Sequence, residues 1–334
     1  MNRFTAAVCV LLAVSTTSGC AEPASDGDAP AGLPALAAQP EVTVSGASSG
    51  AYMATQYHVA YSSHVTGAAL IAGGPWGCAR GQLTRALGAC IKGDGIDAGL
   101  LASDASALAE AGAIDALKNL QDDRVFLFHG TRDEVVARDT VAAAGQWYAT
   151  AAGIDARFED TVPVTHGMPT VDYGAPCPEF RAPYLNACEY DLAGELLEYL
   201  HGDLNPPADA AGSLREFNQR ADSAAGLAET GYVYVPDSCA QGLECRVHVF
   251  FHGCGQSVLQ IGDELAANAG FNRWAAANNL IILYPQVAPS RLAPQNPLAC
   301  WDWWGYSGED YLKQQGAQLA AVRAMVRQLT APRH

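Results

Sequence analysis

Val42-Thr43-Val44-Ser45-Gly46-Ala47-Ser48-Ser49-Gly50 is the stretch on which the fold turns. Its first four residues read as a short strand, Gly46 to Gly50 as a sharp turn, and residues 49–61 carry a helical pattern. A strand that reverses through Gly-x-Ser-x-Gly into a helix holds the central serine in a strained backbone and exposes its hydroxyl. The flanking glycines let strand and helix approach without β-carbon clashes. The first N–H groups of the helix have no intrahelical acceptor, so they face the same point. The pentapeptide alone occurs often by chance. The strand before it and the helix after it make Ser48 the candidate nucleophile, with the Ser49 N–H as a donor to negative charge developing on a bound carbonyl oxygen.

Outward from that turn, strands and helices alternate. Strands are expected at residues 68–72, 124–128, 231–235, 246–251 and 280–284, and helices at 106–120, 140–152, 192–200, 264–278 and 314–329. Short apolar strands alternating with helices predict an α/β fold with a mainly parallel sheet and helices on both faces. With no internal repeat and no Ser/Thr-rich linker to an accessory module, residues 33–330 are expected to form a single catalytic domain.

A serine nucleophile needs a base, and the base an orienting acid. The strand at 124–128 runs into His129-Gly130-Thr131-Arg132-Asp133-Glu134-Val135-Val136. An acid on the loop just past a parallel strand lies at the carboxyl edge of the sheet, where such sites assemble. Asp133 is therefore expected as the acid ahead of Glu134, with Val135-Val136 packing the loop down behind it. Val162-Pro163-Val164-Thr165-His166-Gly167-Met168-Pro169 sets His166 between an expected strand and a Gly/Pro turn, which makes it the expected base. His129 is the second candidate; His58, His64 and His201 lie on or beside helices, where packing and surface roles are commoner. The order Ser48, Asp133, His166 is that of the α/β-hydrolase triad.

Val247-His248-Val249-Phe250-Phe251-His252-Gly253-Cys254-Gly255 reads as a buried strand ending in a His-Gly turn. In α/β-hydrolases a loop of this kind supplies an oxyanion N–H and precedes the nucleophile. Here it follows the histidine. A circularly permuted α/β-hydrolase fold accounts for this order: the block at 213–329 would ordinarily lead into the strand that begins at Val42. Chain ends that lie close together tolerate such a rearrangement. The permuted reading makes the Cys254 N–H the second oxyanion donor.

Composition bounds the partners and the compartment. The 334 residues are 49% hydrophobic and 16% charged, a globular balance, and the formal charge of −16 repels phosphate backbones and argues against nucleic acid. Residues 1–20 read as a signal peptide: a short basic start, an apolar stretch from Phe4 to Val14, then small residues up to Cys20. Residues 21–32 read as a flexible tether. Small residues ahead of Cys20 resemble a bacterial lipoprotein signal, although Thr17 stands where that signal has leucine. Cleavage after Ala21 would instead release the chain. The expected location is accordingly secreted, extracellular or periplasmic, with a lipid anchor at Cys20 as the alternative, and no transmembrane segment in the mature chain.

Ten cysteines point to an oxidising compartment. Beyond Cys9 and Cys20 they fall into couples, Cys78/Cys90, Cys177/Cys188, Cys239/Cys245 and the more distant Cys254/Cys300, and read as disulfides whose connectivity spacing alone leaves open. No two cysteines stand at Cys-x-x-Cys spacing with histidine in register, so no metal site is expected.

Several of these segments together resemble one family. Gly46-Ala47-Ser48-Ser49-Gly50-Ala51-Tyr52-Met53-Ala54, Ala72-Gly73-Gly74-Pro75, Trp76-Gly77-Cys78-Ala79-Arg80, His252-Gly253-Cys254, Ile281-Ile282-Leu283-Tyr284-Pro285-Gln286 and Cys300-Trp301-Asp302-Trp303 resemble poly(3-hydroxybutyrate) depolymerases of the circularly permuted, single-domain type known from a fungal enzyme. The resemblance implies a secreted serine esterase acting on short-chain polyhydroxyalkanoate, polymeric or oligomeric, as a monomer and without a cofactor. It implies Ser48 as nucleophile, Asp133 as acid, His166 as base, Ser49 and Cys254 as oxyanion donors, and Trp301 and Trp303 along the substrate crevice. Trp304 and Tyr306 join them as candidates for holding a polymer chain. Feruloyl or acetyl esterases of plant polysaccharide share the His-Gly-Cys and Cys-Trp-x-Trp elements and are the rival within enzymes. A non-catalytic, surface-tethered polymer binder is the rival outside them.

Overall fold

A computed structural model describes residues 31–207, 211–219 and 226–333. The expected signal peptide at 1–20, the lipidation candidate Cys20 and all but the last two residues of the expected tether lie outside the described residues.

Eight strands form the main sheet: β1 (Val42–Ala47), β2 (Val65–Ile71), β3 (Arg124–Phe128), β4 (Arg157–Glu159), β8 (Gly212–Asn218), β9 (Thr230–Pro236), β10 (Arg246–Phe251) and β11 (Leu280–Tyr284). Between them in sequence, β5 (Met168–Thr170), β6 (Ala175–Pro176) and β7 (Leu185–Ala187) make a small parallel sheet of their own. Across the main sheet the order is β4-β3-β2-β1-β10-β11-β9-β8, parallel throughout except where β9 meets β11 and β8. This is an α/β-hydrolase-like architecture.

The strand order separates the chain into two blocks. β1 to β4 fill one half of the sheet and β8 to β11 the other, and they meet where β1 pairs with β10, Val42 opposite Val247 and Gly46 opposite Phe251. The chain thus enters the sheet at its middle. Its two described ends lie together: Leu36 N–H donates to Leu329 O at 3.1 Å, and Ala37 N–H to Ala331 O at 2.9 Å. Placing the second block ahead of the first would carry the helix Ala317–Thr330 straight into β1.

Alternation along the strands builds two apolar layers. Val247, Val249 and Phe251 of β10 pack on the side of the wholly buried helix Ser49–Ala60, with Tyr57, Trp301 and Val322. Phe250 turns to the other face, with Phe126, Phe128, Leu196, Phe271 and Ile282. Thr43, Ser45 and His248 lie buried in one polar chain between β1 and β10. Arg246 donates to His201 Nδ1 at 3.2 Å, so His201 Nε2–H donates to Thr43 Oγ1 at 2.9 Å. The Thr43 hydroxyl then donates to His248 Nδ1 at 2.7 Å, and His248 Nε2–H to Ser45 Oγ at 2.7 Å.

Three expected elements differ. The helix expected at 106–120 runs instead over Ala98–Glu110, started by the Asp97 carboxylate accepting the Leu100 N–H and ended before Gly112 at φ +68°; Leu117–Leu120 is a separate 3-10 turn. The helix expected at 264–278 is two, Glu264–Asn268 and Phe271–Asn278, parted at Gly270 with φ +96°. The strand expected immediately before His166 is absent: residues 160–167 form none, and the pairing position beside β3 belongs to β4, which ends at Glu159.

Candidate active site

The backbone turn at Ser48 is the strained element that the motif predicts, with φ 54° and ψ −117° between β1 and the helix Ser49–Ala60. A positive φ at a residue with a β-carbon is uncommon and marks a position that its surroundings enforce. The enforcement comes from the glycines. A β-carbon at Gly46 would lie 2.2 Å from Gly50 O, and one at Gly50 only 2.0 Å from Phe251 O, so neither turn nor helix could sit so close to β10 with any other residue. Ser48 N–H is held by Ile71 O at 2.8 Å.

Asp133 and His166 come together as expected. His166 Nδ1 donates to Asp133 Oδ2 at 2.7 Å, and the Asp133 side chain is 1% exposed. The other carboxylate oxygen accepts the backbone N–H groups of Val135 (2.8 Å) and Val136 (2.9 Å). The valines therefore fix the acid through their amides; Val136 is buried but the Val135 side chain is exposed, so packing of the pair is not the cause. Glu134 faces solvent. His129, the second candidate base, is buried and donates from Nε2 to Val136 O at 3.0 Å, a role in shaping the acid loop.

Ser48, Ser49, His166, Gly253, Cys254 and Trp303 line one cavity of about 390 Å³. The Ser48 hydroxyl has no hydrogen-bond partner among the described residues, and neither the Ser49 nor the Cys254 N–H has a protein acceptor there. The Cys254 amide is aimed by its neighbours. His252 Nδ1–H donates to Gly253 O at 2.8 Å, and Gly253 N–H donates to Gln256 Oε1 at 2.8 Å. His252 Nε2 in turn accepts the Val287 N–H at 3.1 Å. Fixing the Gly253 carbonyl fixes the Cys254 N–H on the opposite side of the same peptide plane. Burial pushes His252 down to about 4, in keeping with a neutral ring that donates from one nitrogen and accepts at the other.

The rest of the cavity is apolar. Its rim carries Leu83, Leu87, Phe180 and Leu298, each exposing about half of its surface or more. Trp303 stacks on Tyr52 at 4.2 Å between ring centroids, with Trp304 beside it. Trp301 corrects the expectation. It does not line the cavity but is fully buried, edge-on to Phe251 at 5.1 Å, because its backbone N–H is tied to Ser49 Oγ at 3.3 Å with the indole turned inward. Tyr306 likewise lies off the cavity, its hydroxyl donating to Cys300 O at 2.8 Å.

All four cysteine couples are joined: Cys78–Cys90, Cys177–Cys188, Cys239–Cys245 and Cys254–Cys300. The last ties the His252–Gly255 loop to the segment carrying Trp303. Sequence reasoning did not single out Phe180 and Tyr184, which line the cavity from the loop closed by Cys177–Cys188. The signal available was that closed loop, which starts eleven residues after His166. The polar chain through Thr43, Ser45 and His248 lies beneath the sheet and none of its residues lines the cavity.

No model of a known protein family matches the chain. It is 41% identical over 304 residues to a poly(3-hydroxybutyrate) depolymerase of Delftia acidovorans, covering 88% of this chain and 60% of that protein, so the chain spans about three-fifths of that relative's length. It is 35% identical over 321 residues to a polyhydroxybutyrate depolymerase of Talaromyces funiculosus, covering 90% of this chain and 92% of the relative. Among solved structures it matches a PHB depolymerase from Penicillium funiculosum with a TM-score of 0.84 at 34% identity, over 90% of this chain and 98% of that one. A serine-to-alanine PHB depolymerase complexed with an R3HB trimer matches with a TM-score of 0.84 at 33% identity, over the same shares.

Proposed function

The chain belongs to the poly(3-hydroxybutyrate) depolymerase family, and we propose that it is a secreted serine esterase hydrolysing poly(3-hydroxybutyrate) or a related short-chain polyhydroxyalkanoate. The observation that carries this reading is the meeting, in one apolar cavity, of the strained Ser48, the His166–Asp133 pair and two unpartnered N–H groups. Four disulfides suit an oxidising compartment.

Ser48 Oγ attacks the ester carbonyl while His166 Nε2 takes its proton. Asp133, held by three hydrogen bonds, keeps the imidazole in the Nδ1–H tautomer and stabilises its charged form. Ser49 N–H and Cys254 N–H hold the oxyanion, a contribution of about 3 kcal/mol for each such donor. His166 then protonates the leaving alcohol, and water resolves the acyl-enzyme by the reverse transfer. Ser48 and His166 line the same cavity without a hydrogen bond between them, and on this reading that bond forms as substrate fills the cavity, since catalytic hydrogen bonds are often long in substrate-free sites. The apolar rim of Leu83, Leu87, Phe180 and Leu298 supplies the surface that meets a water-insoluble polyester.

Hydrolysis of amorphous poly(3-hydroxybutyrate) by the purified chain, beside Ser48→Ala, tests the reading. The native chain is expected to clear the polymer and the variant to lose on the order of 10⁴-fold or more in kcat. Undiminished hydrolysis by Ser48→Ala would refute the nucleophile. Ser48-dependent cleavage of soluble esters without clearing would move the substrate to oligomers or polysaccharide esters.

A further inference from the structure

Tyr184 shares with Ser48, among the residues around the cavity, a strained backbone combined with an unpartnered polar atom. Its φ is +59°, a left-handed conformation that a bulky residue adopts only where its surroundings impose it. The imposition is visible on each side. Met168 N–H donates to Tyr184 O at 3.0 Å, which ties the loop to the segment carrying His166. Gln256 Nε2 donates to Pro183 O at 3.0 Å, which ties it to the oxyanion loop. Asn186 Nδ2 gathers the carbonyls of Pro176, Cys177 and Glu179 within 3.3 Å, and the Cys177–Cys188 bond closes the loop.

So held, the Tyr184 ring lies against Gly255, one residue past Cys254. A β-carbon there would stand 3.1 Å from Cε2 and 3.6 Å from the phenolic oxygen. On its other side Tyr184 meets Phe180 with centroids 5.1 Å apart, and Phe180 meets the edge of His166 at 6.0 Å. Gly255, Tyr184, Phe180 and His166 thus form a continuous wall from the oxyanion loop to the base. In ester hydrolysis the base also protonates the departing oxygen, so this wall borders the leaving-alcohol side.

Four hydroxyl-bearing residues line the cavity. Tyr52 donates to Cys90 O at 2.6 Å, Ser49 Oγ accepts the Trp301 N–H, and Ser48 is the proposed nucleophile. The Tyr184 hydroxyl has no protein partner among the described residues. A polyester carries a carbonyl acceptor in every repeat and a donor only at its terminus, so a wall that is to read the chain must supply donors. We propose that Tyr184 is a specificity-determining residue whose hydroxyl donates to the ester carbonyl of the repeat on the leaving-alcohol side of the scissile bond. This rests on the polyester reading of the site given above.

The test compares kcat/KM for a linear 3-hydroxybutyrate trimer with that for 4-nitrophenyl butyrate, which has no leaving-side ester. Tyr184→Phe keeps the ring on Gly255 and removes the donor. It is expected to lower the trimer-to-nitrophenyl ratio by about 3- to 10-fold, mostly through KM. A trimer analogue with an ether in place of the leaving-side ester should show the same loss with the native chain and no further loss with Tyr184→Phe, which frees the result from the folding of the variant. An unchanged ratio, or equal losses of Tyr184→Phe on the ester and ether trimers, overturns the assignment to Tyr184 alone. A native chain that cleaves the nitrophenyl ester through Ser48 but leaves the trimer intact overturns the polyester reading and this inference with it.

Discussion

At the scale of residues, the Ser48 turn leaves no room for a β-carbon. Gly50 sits where its missing β-carbon would meet Phe251 O at 2.0 Å and His252 O at 2.5 Å, both backbone atoms that cannot swing aside. Gly50→Ala is therefore expected to push the helix Ser49–Ala60 away from β10 and to destabilise the fold by about 3 kcal/mol. Urea unfolding measures this, and a variant of undiminished stability would show that the elbow has slack. Ser48 and Asp133 were legible as site candidates because each follows the end of an apolar strand, and His166 because a Gly/Pro turn follows it, although no strand leads into it. What held Asp133 in place was not, since the amides of Val135 and Val136 look like any others in sequence. Trp301 and Trp303 were indistinguishable for the same reason: which indole faces the crevice depends on the bond from Trp301 N–H to Ser49 Oγ, between residues far apart in the chain.

Elements were readable where their period ran uninterrupted. β3, β10 and β11 fall where their apolar runs put them, whereas the helices near Gly112 and Gly270 were misread because propensity does not register a single left-handed glycine. The small sheet of β5, β6 and β7 was missed because strands of two or three residues have no period to detect. Between β1 and β10, the chain through His201, Thr43, His248 and Ser45 requires both histidines to be neutral. Burial, with Arg246 and Arg124 nearby, brings His201 down to about 3; burial and then His201 hold His248 well below its usual value. His252 behaves likewise, at about 4. Histidines whose folded values are depressed stabilise the fold fully above their unfolded value near 6.5, and that stability is lost as pH falls toward the folded value. The expected slope is about 1.4 kcal/mol per pH unit for each such histidine. Urea unfolding between pH 7.5 and 5, above the range of ordinary carboxylates, should show stability falling below pH 6.5; a flat profile would mean that these rings can be charged in place.

For the whole molecule, the permuted order of the sheet has a direct consequence. Leu36 and Ala37 are hydrogen-bonded to Leu329 and Ala331, so the described ends are already neighbours. Joining them through a short linker and opening the chain between Leu204 and Gly212 should give a folded esterase with its strands in unpermuted order. Circular dichroism, thermal unfolding and Ser48-dependent ester hydrolysis would check it, and an insoluble or inactive product would mean that the connection from the helix Leu192–His201 to β8 is needed for folding. The amino-acid sequence by itself determined the alternation of strands and helices, the strained serine turn and the loops carrying Asp133 and His166, because each is set by short-range pattern or by residues adjacent in the chain. Only the tertiary structure decided which tryptophan faces the cavity, which cysteines join, what aims the Cys254 N–H, and that the loop between Cys177 and Cys188 completes the wall. The facing of Trp301 and the wall depend on contacts between segments far apart in the chain, such as Trp301 N–H to Ser49 Oγ and Gln256 Nε2 to Pro183 O. The cysteine joins and the aim of the Cys254 N–H depend on side-chain directions that spacing does not give, and both kinds of feature belong to the packed fold rather than to the pattern of any stretch.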